Sequence, residues 1–303
     1  MISVPASAEQ GRDRQEVLHH LFWSSRPLSW INTAYPFALT VLLLGQPIPW
    51  LPLVVGTLYF LVPYNLAMYG VNDVFDYESD LRNPRKGGVE GAVLAPRFHR
   101  PVLVAALLTN VPFLAALVLL GNPLSDLVLA VSVFAVIAYS APGLRFKERP
   151  VLDSITSSTH FVSPAVFGVA LVGVAADART LLLLGAFFCW GMASHAFGAV
   201  QDVPSDREAG IGSVATVLGA RPTVAIAAVL YLAAGVLAAC SGWPTAVAGL
   251  VAVPYLAMVV PFLGITDAEA ERANRGWRRF LGINFVAGFV VTILTILVAL
   301  FGR

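Results

Sequence analysis

Residues 51–80 read LPLVVGTLYFLVPYNLAMYGVNDVFDYESD, an apolar stretch that runs directly into a cluster of acidic residues. A helix needs about 20 mostly apolar residues to cross the hydrocarbon core of a bilayer, and Leu51 to Tyr69 supplies them. Just past it stand Asn72, Asp73, Asp76 and Asp80. At about 100° per residue these four fall within one arc of roughly 100°, so a helix presents three carboxylates and an amide oxygen on one face. Like charges this close repel unless a cation sits among them. Hard oxygen ligands suit Mg2+, which shares its coordination shell with waters and substrate phosphates instead of being caged by protein alone.

Outward from this stretch, eight further runs have spanning character, giving nine in all. They are Leu28 to Leu44, Leu51 to Tyr69, Val102 to Leu120, Leu124 to Tyr139, Ile155 to Ala175, Leu181 to Ala199, Val224 to Cys240, Ala246 to Leu263 and Leu281 to Phe301. Breakers separate them, among them Gly45 with Pro47 and Pro49, Gly121 with Pro123, Pro142 with Gly143, and Gly242 with Pro244. Of the 303 residues 57% are hydrophobic and only 12% charged, about half the charge of a soluble domain. Open strands in lipid leave backbone groups unpaired, so the reading is an all-α integral membrane bundle of nine transmembrane helices. A net charge of +1 carries no nucleic-acid footprint. Cys189 and Cys240 lie in apolar runs and read as packing residues. The first ~25 residues are too polar for a secretory signal. The expected organisation is a polar cytoplasmic segment over 1–27 and one transmembrane domain over 28–303.

Basic residues accumulate on the cytoplasmic side of short membrane loops. With nine spans, all 19 Lys and Arg fall on one side except Arg179 and Arg303. This split predicts a cytoplasmic N terminus, a C terminus outside, and an inner-membrane protein whose acidic clusters face the cytoplasm.

The second cluster, Asp202 and Asp206, follows the sixth span, four helices after the first, and therefore lies on the same side. One-turn spacing stacks the two carboxylates if Pro204 occupies the first turn of a helix. Two acidic faces on one membrane surface imply a diphosphate bridged by metal between them. The same loops supply cations: Arg82, Arg85 and Lys86 after the first cluster, Arg145, Lys147 and Arg149 after the fourth span, and Arg207 beside the second cluster. Fixed positive groups stabilise charge developing on a leaving group, here as an allylic carbocation forms. A single such base is equally well a topology anchor. His160 and His195 read as packing histidines. Asn32, Tyr35, Tyr64 and Tyr69 could line a cavity mouth or pack helices, and Phe37, Trp190 and Phe197 could shield a cation or fill the core.

The Asn-Asp-x-x-Asp-x-x-x-Asp pattern of residues 72–80 and the Asp-x-x-x-Asp pattern of Asp202 to Asp206, with Gly210 and Ser213 following, resemble the UbiA superfamily of intramembrane prenyltransferases. Within it, residues 26–36, 64–70, 83–91, 139–142 and 198–202 are most similar to the bacterial lycopene elongases of fifty-carbon carotenoid synthesis. The resemblance implies nine helices around a lipid-open cavity, Mg2+ as cofactor, dimethylallyl diphosphate as donor and lycopene as acceptor, and is compatible with association with other carotenoid enzymes. On that reading Asp73, Asp76, Asp202 and Asp206 are catalytic, and Asn72, Asp73, Asp76, Asp80, Asp202 and Asp206 hold metal. Asn32, Arg82, Lys86, Tyr139, Arg145 and Lys147 contact the diphosphate or substrate. Quinone-pathway members often carry a basic-Pro-Leu run after the first motif, where this chain has Arg85-Lys86-Gly87-Gly88. Two other readings stay open: transfer to an aromatic quinone precursor or a chlorophyll-type acceptor, and a cation-coupled transporter, whose ion site belongs near the bilayer midplane.

Overall fold

The computed structural model describes residues 6–45, 47–81 and 93–301, and no strand occurs among them. The helices follow in chain order: α1 (Ala6–Ser24), α2 (Ile31–Leu44), α3 (Trp50–Leu61), α4 (Pro63–Asn65), α5 (Val71–Phe75), α6 (Tyr77–Asp80), α7 (His99–Leu120), α8 (Pro123–Ser140), α9 (Leu152–Val172), α10 (Ala178–Val200), α11 (Val203–Glu208), α12 (Val214–Leu218), α13 (Ala220–Ala239), α14 (Ala252–Val259) and α15 (Asn274–Phe301). Among the described residues, eight helical segments are long and apolar enough to cross a bilayer. A ninth is the pair Arg14–Ser29 and Ile31–Leu44, bent by 56°. This is a multi-pass membrane protein.

The first span departs from the expected straight run beginning at Leu28. Arg26 takes a left-handed backbone (φ 52°), a short 3-10 turn covers Pro27–Ser29, and only then does α2 begin. Proline fixes φ and restricts the residue before it, so the chain turns here. The eighth span is also irregular, with 3-10 segments at Thr245–Val251 and Val260–Phe262 on either side of α14.

Helix α9 is the central post and packs against α2, α8 and α10. It is 61% buried across its apolar window, against 6% for the last span. That position explains a polarity unusual in a spanning helix, with Ser154, Thr156, Ser158, His160 and Ser163 all buried. Intramembrane polar groups face the bundle interior, where other helices supply their partners. On one side of α9 a core forms around Phe37, Phe60, Tyr64 and Phe167. On the other, α10 joins a second core around Phe197, Val224, Tyr231 and Tyr255.

Pro63 interrupts the second span, and intramembrane amides take up the carbonyls nearby. Asn65 Nδ2 donates to Phe60 O (2.8 Å) and to Thr33 Oγ1 (2.7 Å). Asn110 Nδ2 donates to Pro63 O (2.7 Å). A backbone polar group left unpaired in lipid costs several kcal/mol, roughly, so such amides are structural. Tyr64, weighed as a cavity residue, is buried and donates to His160 O (3.2 Å) as a packing group. Cys240, read as a packing residue, is exposed at the end of α13.

Candidate active site

A single π turn, Leu66–Gly70, leads into the first acidic motif. Such turns rotate the following side chains relative to a continuous α-helix and frequently mark functional sites. Beyond it the backbone stays helical across the junction of α5 and α6. Asp76 N donates to Asn72 O at 2.9 Å and Asp80 N to Asp76 O at 2.8 Å, so the acidic residues share a face as their spacing predicts. Asp73 is fully buried and Asp80 nearly so.

Basic groups from separate elements close on this face. Arg26 Nη2 lies 2.7 Å from Asp73 Oδ1, with its guanidinium 5.0 Å over the Tyr69 ring. From the loop after α8, Lys147 pairs with Asp76 and donates to Asn72 Oδ1 (3.3 Å). Arg145 stands 3.9 Å from Asp76 and also pairs with Glu148. Ser140, at the end of α8, donates to Asn72 Oδ1 at 2.8 Å. Burial pulls the Lys147 ammonium down to about 8, against the opposing pull of Glu148 and Asp73. The hydrogen bond from Arg145 holds the Glu148 carboxyl below its usual range.

Arg26 and Arg145, which both meet the motif, are two of the three non-glycine residues at positive φ among the described residues, the third being Val151 (φ 73°). Left-handed backbone costs an L residue on the order of 1–2 kcal/mol. Conformations of this kind persist where surrounding contacts over-determine them, typically at functional sites.

The second motif begins where α10 stops. Asp202 is the N-cap of α11 with Pro204 in its first turn, and Asp206 N donates to Asp202 O at 2.8 Å, which gives the one-turn stacking expected. Both carboxylates are half-buried. Arg207 turns away from this face: it binds Asp267 Oδ2 at 2.6 Å and Thr216 O at 2.9 Å, and so fastens α11 to the chain after the eighth span. Asn32 is half-buried on α2 and enters none of these contacts among the described residues. Arg82, Arg85 and Lys86 lie outside the described residues.

Tyr139, half-buried at the end of α8, is edge-on to His160 (5.1 Å) and His195 (6.4 Å). His195 lies on α10, which ends at Val200 before Asp202. Its Nε2 faces Asp153 Oδ2 across 3.6 Å. Asp153 and Arg26 are the residues that spacing did not single out. Their signals were an ionisable group opening an apolar span and an arginine set against Pro27, both of which read equally as membrane-surface residues.

The donor set, carboxylates and an amide oxygen beside fixed bases, fits a hard divalent ion together with a phosphorylated ligand. Among the described residues no three acidic, His or Cys groups converge tightly enough to cage an ion alone.

Comparison with known proteins identifies the family. The UbiA prenyltransferase family matches residues 34–286. The chain is 59% identical over 277 residues to the C(50) beta-cyclic carotenoids biosynthesis protein LbtBC of Dietzia sp. (strain CQ4), an alignment covering 91% of the chain but 64% of that protein. It is 53% identical over 281 residues to the lycopene elongase/hydratase of Corynebacterium glutamicum, covering 93% of the chain and 98% of the relative. A UbiA homolog from Archaeoglobus fulgidus bound to DMAPP and Mg2+ superposes with a TM-score of 0.60 at 18% identity, over 88% of this chain and 98% of the other. The all-helical membrane bundle is thus the fold of these relatives, and the chain belongs to the UbiA prenyltransferase family.

Proposed function

We propose that this prenyltransferase moves a dimethylallyl group from dimethylallyl diphosphate to lycopene, at one end and then the other, giving forty-five- and then fifty-carbon products. The observation that carries the reading is the first motif itself: a buried acidic face clasped by Arg26, Arg145 and Lys147, in a chain 53% identical over nearly its full length to a lycopene elongase/hydratase.

In this mechanism Asn72, Asp73, Asp76, Asp80, Asp202 and Asp206 hold Mg2+ with the donor. When bound, the metal neutralises charge on the diphosphate oxygens and so favours cleavage of the allylic carbon–oxygen bond. Lys147 and Arg145 sit beside Asp76 and take up negative charge on the departing diphosphate, as do Arg82 and Lys86. Ser140 and Lys147 fix the Asn72 amide, so its oxygen is oriented before substrate arrives. Tyr139 closes the site towards the bundle interior, where restricted water protects the allylic cation until the acceptor's terminal double bond attacks. The active site faces the cytoplasm of a bacterial cell, where a water-soluble donor arrives, while an apolar acceptor enters from the bilayer.

The test is expression in lycopene-accumulating cells followed by mass analysis of pigments. Wild type converts lycopene to longer products, whereas Asp73→Ala and Asp202→Ala insert in the membrane without converting it. Unchanged lycopene with inserted wild-type protein and available donor would reject the acceptor, and turnover by either purified variant would reject the metal assignment.

A further inference from the structure

The Asp153–His195 pair stands outside the two acidic motifs and the bases that meet the first of them. Asp153 is fully buried at the start of α9. Its Oδ1 accepts from Ser154 N–H (2.7 Å) and its Oδ2 from Val214 N–H (2.7 Å), so the carboxylate cannot turn. The same Oδ2 faces His195 Nε2 at 3.6 Å. The His195 side chain retains 19% exposure where its carboxylate has none. At 3.6 Å the carboxylate lies beyond hydrogen-bond distance and stands beside Nε2 as a neighbouring charge, which leaves the other ring nitrogen, Nδ1, as the proton acceptor. Tyr139 stands beside the ring and links it to the first motif, since the next residue, Ser140, donates to Asn72. His195 lies five residues before the end of α10 at Val200, and Asp202 caps α11 just beyond that end, so the imidazole sits on the span that leads into the second motif. On the prenyl-transfer reading the diphosphate lies at the acidic motifs and the prenyl chain extends from it into the bundle.

Building on the prenyl-transfer reading, we propose that His195, braced by Asp153, accepts the proton that ends the reaction. The acceptor's double bond supplies the electron pair of the new carbon–carbon bond, and diphosphate leaves with the pair of the broken carbon–oxygen bond. A tertiary cation remains on the acceptor. A neighbouring C–H bond then breaks, its electron pair becomes a double bond, and the proton passes to the His195 nitrogen that faces away from Asp153. Where water meets the cation first, a water lone pair forms the carbon–oxygen bond and that water's proton passes to the same nitrogen. The proton returns to solvent as products leave.

The experiment uses purified full-length protein in lipid nanodiscs with Mg2+, dimethylallyl diphosphate and lycopene. Diphosphate release and the identity of the product end groups are followed through a single turnover. His195→Gln cleaves the donor near the wild-type rate, but final product forms on the order of a hundredfold more slowly, spread over more end-group isomers. Asp153→Asn, which keeps an oxygen for the Val214 N–H, shifts both readouts the same way by less, and carries the test alone if His195→Gln does not fold. End groups unchanged in ratio, with donor cleavage and product formation either unaltered or falling together, overturn the inference. Wild-type protein that makes no product from lycopene rejects the functional reading, and this inference with it; wild-type turnover with an indifferent His195→Gln rejects this inference alone.

Discussion

Arg26 is the residue whose role changes most between sequence and structure. In the sequence it is one more base before the first span, and bases there usually report orientation. In the fold its left-handed backbone places the guanidinium between the Tyr69 ring and the buried Asp73 carboxylate. Truncating one partner of a buried ion pair is costly, about 3 kcal/mol. Arg26→Ala is therefore expected to lower the thermal stability of ligand-free protein in detergent clearly, and to lower it less with Mg2+ and dimethylallyl diphosphate present, because the metal then offsets the Asp73 charge. Equal losses in both conditions would show that Arg26 does not share Asp73 with the ligand. The carboxylates themselves were legible, since one-turn spacing survives whatever the helix packs against. Arg26, Asp153 and the pairing of His195 were not, because each acquires its meaning from a partner on another helix.

Among the elements, the α9–α10 contact sets the site most directly, because Asp153 lies on one helix and His195 on the other. Gly191, one turn before His195, lets these helices approach. A Cβ there would meet Ser158 Cβ at 3.0 Å and Ser158 Cα at 3.1 Å, the latter belonging to backbone that cannot step aside. Overpacking of this kind costs about 1–3 kcal/mol. Gly191→Ala should lower the unfolding temperature and, by widening the gap that holds the 3.6 Å Asp153–His195 contact, disturb product end groups more than donor cleavage. A variant with wild-type stability would mean that the helices separate freely. Span number and approximate limits were readable because hydropathy and breakers act locally. The bend before α2, the π turn before Asp73 and the 3-10 stretches around α14 were not, because they arise from Pro27 and Pro63 and from how carbonyls freed near breaks find partners in neighbouring helices.

At the scale of the molecule, α8 and α10 both pack against α9, so the spans that lead to the Lys147 loop and to the second motif share one central post. Lipid-facing helices such as α7 and α15 expose Leu107, Leu108, Phe285 and Phe289 outward, as surfaces do whose solvent is hydrocarbon. We propose that the face carrying the acidic motifs points inward, because the sequence reading puts nearly all bases on that side of the spans. The membrane-impermeant maleimide test is direct. In a Cys240→Ser background, which removes the exposed native thiol, Ala175→Cys lies in the exposed loop before α10 and Ser205→Cys lies exposed within α11. Ala175→Cys should label in intact cells and Ser205→Cys only after the membrane is opened. The reverse pattern would put the acidic face outside, away from a cytoplasmic diphosphate donor. Labelling of both in intact cells would break the span count between them, because a single helix, α10, separates the two positions.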